Sequence, residues 1–146
     1  MAIANVLLDK AEIIQDEFEN LIHNFQYLDA DKRMALSQEL FHHLRDFLQL
    51  QKLLIHEAAK TNPAIQREFI PYQEAHQDIL DMYQRLVLIH VDEPREEYKT
   101  RLETMKNTFQ SFWDDEYQSF ICGLQADLDP EMETAVIRNF RKLGSR

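Results

Sequence analysis

Residues Leu36 to Leu54 read LSQELFHHLRDFLQLQKLL. Leu36, Leu40, Phe47, Leu50 and Leu54 recur at alternating spacings of three and four, with His43 in the same phase, which is the period of a helix that turns one stripe towards its neighbours. Adjacent residues on a helix point about 100° apart, so only one of His42 and His43 can face a given core. The stripe selects His43 as the inward residue and leaves His42 on the flank with Asp46.

Three further stretches repeat this period, and together they decide the fold class. The first runs from about residue 3 to 28 through Leu7, Ala11, Ile14, Phe18, Leu21, Phe25 and Leu28, and the second, the stretch quoted, from about 32 to 60. The third, about 63 to 90, carries Phe69, Tyr72, His76, Ile79, Tyr83 and Leu86. The fourth, about 94 to 125, carries Tyr98, Leu102, Met105, Phe109, Phe112, Glu116 and Ser119. A short fifth segment from about 130 to 142 holds Met132, Val136, Ile137 and Phe140.

The breaks between stretches have recognisable chemistry. Asn62-Pro63 and Asp129-Pro130 each put a capping side chain before a proline at the first helical position, and Asp92-Glu93-Pro94 does so less closely. Asp29-Ala30-Asp31 separates the first two helices and supplies further caps. Pro71 should start or kink the third helix just before Tyr72, because it removes a backbone donor. Two glycines and four prolines among 146 residues, 45% of them hydrophobic, fit long helices and one core rather than a turn-rich β fold. With every connection short, the expected architecture is a single all-α domain over residues 1–146. It is an up-down-up-down antiparallel four-helix bundle with a short C-terminal fifth helix.

The net charge of −10 is spread along the helices, which gives no footprint for nucleic acid and a poor match to an anionic membrane surface. The chain has no basic-then-apolar leader and no apolar run of transmembrane length, so the expected compartment is the cytoplasm. The lone Cys122 rules out an intramolecular disulfide framework or a cluster of several thiolates, and its aromatic surroundings point to a buried structural thiol. No phosphate-binding glycine loop, HExxH pair or Ser/His/Asp arrangement is present, and no residue requires catalysis.

Chemistry, if there is any, lies where polar residues enter the stripes. His43, His76 and Glu116 aim two imidazoles and a carboxylate inward from three helices, and a buried carboxylate costs several kcal/mol unless it is neutralised, hydrogen-bonded or bound to a cation. Two answers are open: a histidine or tyrosine partner, or a metal ion held by two histidines and one carboxylate, a set that suits non-haem iron. Tyr72, one turn from His76, could bond Glu116 or be simply a buried tyrosine. His23, His42, His56 and His90 lie off the stripe or near helix ends, where solvation or capping is usual.

Five segments, VLLDKAEII, LFHHLRDFL, EAHQDIL, FWDDEYQSF and DLDPEMETAVIRNF, resemble in order and separation the hemerythrin-like, or HHE cation-binding, family. The resemblance implies a four-helix bundle around an oxo-bridged di-iron centre, ligated by a histidine from the first helix, His-x-x-x-Glu from the second, one or two histidines from the third and His-x-x-x-acid from the fourth. His43, His76 and Glu116 fall on such positions. Ala11 (or Glu12 in a register shifted by one), Phe47, Tyr72 and Phe112 stand on the others. The shifted register would offer Glu12, His42, Asp46, His76 and Glu116, at the cost of the apolar phase of the second helix.

The resemblance therefore implies a small metal-binding or sensing protein whose incomplete site, His43, His76 and Glu116, holds at most one ion of iron or zinc. The alternative is a metal-free bundle of the same kind that acts as an interaction or regulatory protein, with Phe47 and Phe112 filling the vacated volume. A di-iron oxidase or peroxidase ranks third.

Overall fold

Asp29 opens the longest helix by accepting a hydrogen bond from the Lys32 amide at 2.8 Å, and Asp129 does the same for the Met132 amide at 2.8 Å at the start of the last. Between and around these caps, the computed structural model, which describes residues 3–90 and 96–144, is helical. Helix α1 spans Ile3–Asn24 and ends in a 3-10 turn, Phe25–Tyr27; α2 spans Ala30–Ala58, α3 Ala64–His90, α4 Glu96–Phe112, α5 Asp115–Asp127 and α6 Pro130–Gly144. The described residues contain no strand. The Asp92-Glu93-Pro94 boundary lies outside them, as does the side chain of Leu86.

Helix α1 packs on α2 and α4, α2 on α3, and α3 on α4, while α5 lies against α1 and α2 and α6 against α2. Each of the first four helices sends one aromatic ring to the centre: Phe18, Phe47, Tyr83 and Phe109, all fully buried. Phe18 meets Tyr83 edge-on at 6.1 Å, and Phe109 stands 6.4 Å from Phe18 and 5.8 Å from Phe47. The buried residues form one continuous cluster to which α6 adds Val136. Lys10 sits over the Phe140 ring at 5.2 Å, and Gln125 accepts the Ala4 amide at 3.0 Å, capping the otherwise open first turn of α1.

The expected stripe of α1 is the one observed, with Leu7, Ala11, Ile14, Phe18, Leu21 and Phe25 buried and Leu28 half-buried. The stripe of α2 is offset at two points. Ser37 and Leu44 are fully buried where Leu36 and His43 were expected, Leu36 is 40% exposed, and Gln51 is buried beside Leu50 and Leu54. The seam runs Ser37, Leu40, Leu44, Phe47, Gln51, Leu54, Ala58. Its two polar members hide it from a reading based on apolar spacing alone.

Helix α3 does not start at Tyr72. It begins directly after Asn62-Pro63 and continues through Pro71, which is exposed, so the ring costs the helix only its bond to the Arg67 carbonyl. The fourth stretch, in contrast, breaks. At Asp114 the backbone turns extended (φ −89°, ψ 176°) and its carboxylate accepts the Tyr117 amide at 2.8 Å, with Asp115 and Glu116 in the first turn of α5, where the helix dipole favours anions. The break inserts a residue between phases. Tyr117 therefore follows Phe112 into the core, and Glu116 and Ser119 turn to solvent. Cys122, expected to be buried, is exposed on α5 for the same reason.

Candidate functional site

His76 is the residue around which the polar part of the core is built. It is fully buried, its Nε2 lies 3.0 Å from the Leu44 carbonyl oxygen, and its Nδ1 lies 3.3 Å from Gln51 Nε2. A carbonyl only accepts and an amide nitrogen only donates, so Nε2 carries the proton and Nδ1 receives one from Gln51. The same Gln51 nitrogen donates to the Phe47 carbonyl at 3.1 Å, and the Tyr117 hydroxyl donates to Gln51 Oε1. Both carbonyls belong to the α2 ladder and use their second lone pair, so the helix is not interrupted.

Every member of this chain is neutral. Burial is the main force that pulls His76 down to about 3; the Leu44 carbonyl opposes it and the charge of Lys52 adds to it. Burial likewise holds the Tyr117 phenol well above its ordinary range. Around the imidazole stand Phe47 at 5.4 Å, Phe112 edge-on at 5.1 Å and Phe109 edge-on at 6.3 Å, while Trp113 closes on Phe47 at 5.0 Å. Tyr72 does not reach Glu116; it stacks on Tyr117 at 4.1 Å and on Phe120 at 5.9 Å. A second buried link joins Ser37 Oγ to the Tyr98 hydroxyl at 2.9 Å, and the Tyr83 hydroxyl donates to the Ser37 carbonyl at 2.8 Å. Among the described residues no buried side-chain nitrogen or oxygen lacks a partner.

The structure does not bring His43, His76 and Glu116 together. His76 is in the core with both nitrogens bonded, Glu116 is exposed in the first turn of α5, and His43 is a half-exposed residue on the α1–α2 face. The shifted set fares no better, since Glu12 and His42 are exposed and Asp46 pairs at 3.7 Å with Arg45. A dinuclear iron centre needs bridging carboxylates, and the rings that stand against His76 are those of Phe47 and Phe112. The core residues therefore do not fit such a centre.

His43 instead belongs to a group that apolar periodicity could not reveal. Its Nδ1 is hydrogen-bonded to Glu17 Oε1 on α1, and one ligand atom each from Glu17, Glu39 and His43 lies within 4.8 Å of the others. Partial burial raises the Glu17 carboxyl above its usual range; His43 opposes that shift by charge and hydrogen bond, and Glu39 reinforces it. The spacing Glu39-x-x-x-His43 was the available signal for two of the three, while nothing in the sequence registers Glu17 against them. Gln51, in a run of leucines, was the corresponding signal for the core network.

No family model, curated protein or solved structure matches this chain. No helix among the described residues is long and apolar enough to cross a membrane.

Proposed function

We propose that this chain is an up-down-up-down bundle of the hemerythrin-like kind whose core is metal-free, and that it acts as an interaction or regulatory protein through its surface. The observation that carries this reading is the commitment of both His76 ring nitrogens, one to the Leu44 carbonyl and one to Gln51. A metal ligand needs a free lone pair on imidazole, and the lone pair on Nδ1 is already taken by a buried donor. Phe47 and Phe112 supply packing where ligands would be needed. The closed circuit of contacts α1–α2–α3–α4–α1 and the short connections support the antiparallel arrangement.

On the outside, a groove between α2 and α3 is lined by buried Ile55 and Phe69, by exposed Ile70 and by Lys52, His56, Gln66 and Gln73, so apolar and polar side chains share its surface. The test is in two parts. Untagged protein, purified without chelator and loaded anaerobically with ferrous iron, retains no iron whose binding depends on His76, and a photo-crosslinker at position 70 gives a discrete adduct in the native cell. Stoichiometric iron lost in His76→Ala, or iron-dependent oxidase turnover, overturns the reading.

A further inference from the structure

We propose that Glu17, Glu39 and His43 form a surface site for one divalent transition-metal ion of the zinc class, spanning α1 and α2 and separate from the core. Glu39 and His43 stand four residues apart on α2 and so share a face, and Glu17 reaches the same point from α1. Zinc holds nitrogen and oxygen ligands at about 2.0–2.2 Å, which puts tetrahedral donors about 3.4 Å apart. The three donor atoms already lie within 4.8 Å of one another, so a small rotation of the exposed Glu39 closes the set.

Charge points the same way. Two carboxylates converge here, and among the described residues neither forms an ion pair with lysine or arginine, while Glu17 is paired with the His43 imidazole. A divalent ion neutralises both carboxylates at once on a chain of net charge −10. The imidazole selects transition ions over magnesium or calcium, which prefer all-oxygen sets. Side-chain exposure of 37% for His43 and 21% for Glu17 leaves room for water in the remaining coordination position, so the ion is exchangeable. Binding releases to solvent the proton held between His43 Nδ1 and Glu17 Oε1, replaces that hydrogen bond by two bonds to metal and fastens α1 to α2.

The experiment is calorimetric titration of the full chain with zinc chloride in a Cys122→Ser background, which removes the exposed thiol as a competing ligand. One ion is taken up, and Glu39→Gln and His43→Gln each weaken binding about tenfold or more, while His42→Gln leaves it unchanged. Zinc raises the melting temperature of the parent and of His42→Gln, not of the two ligand variants; melting curves without zinc establish that all are folded. The proposal is overturned if no zinc is taken up, if uptake survives both ligand substitutions, or if magnesium binds equally well. None of these outcomes touches the His76 network, so this site and the core reading stand or fall separately.

Discussion

At the scale of the residue, an imidazole inside an apolar core is stable only while both nitrogens are bonded and the ring is neutral. Gln51 does most to meet that condition, because one side-chain amide serves Phe47, His76 and Tyr117 together. Gln51→Leu leaves the Tyr117 hydroxyl and His76 Nδ1 without partners, and the expected loss is about 2–6 kcal/mol in urea unfolding, at the cost of roughly 1–3 kcal/mol for each orphaned buried group. Adding Tyr117→Phe to Gln51→Leu should cost less than the sum of the two single changes, since the second removes a donor the first has already orphaned. Additive losses would mean that the two side chains are not bonded. At this scale His76 was legible in the sequence as an inward residue, whereas its partners were not. A glutamine among leucines carries no periodic signal that says which carbonyl or ring it will meet.

At the scale of the element, the break between α4 and α5 decides which residues can be functional. Read as one helix, Phe112 is followed one turn later by Glu116; with Asp114 as a cap, Tyr117 takes that place and the carboxylate goes to water. The first helix was legible because its stripe is wholly apolar, and most inward positions of the third because Phe69, His76, Ile79 and Tyr83 keep one helical phase and are all buried. The second was misread at two points, where Ser37 and Leu44 are buried in place of Leu36 and His43, and the fourth because Asp114 looked like one acid among many. Asp114→Ala should destabilise the protein by about 1 kcal/mol through loss of the cap, measured as a lowered denaturation midpoint. Pro71→Ala should act in the opposite direction. The proline is exposed inside α3, so alanine restores the hydrogen bond to the Arg67 carbonyl and should stabilise by about 1 kcal/mol, part of the proline penalty being offset by the more flexible unfolded chain. A loss of stability there would show that α3 needs the proline to follow the core.

At the scale of the whole molecule, the core has no buried charge among the network residues, and its dependence on pH follows from that. His76 is depressed to about 3 in the folded state, against about 6.5 when unfolded. Below about 6.5 the unfolded chain binds a proton that the folded chain refuses, so this contribution is complete above that pH and is lost as pH falls towards 3, by up to about 1.4 kcal/mol per unit. Glu17, raised in the fold, works against the trend near its own titration, where the folded state binds the proton more readily. Urea midpoints should therefore fall between pH 6.5 and 4.5, and His76→Gln should flatten that slope while lowering the midpoint at pH 7.5. The central claim is that a neutral, hydrogen-bonded imidazole stands where a metal ligand would be needed, and the 15N NMR signature of the His76 ring tests it most directly. The expected spectrum at pH 7 is that of a neutral ring protonated on Nε2, unchanged down to pH 5; a ring protonated on Nδ1, or one that titrates near 6.5, would contradict it.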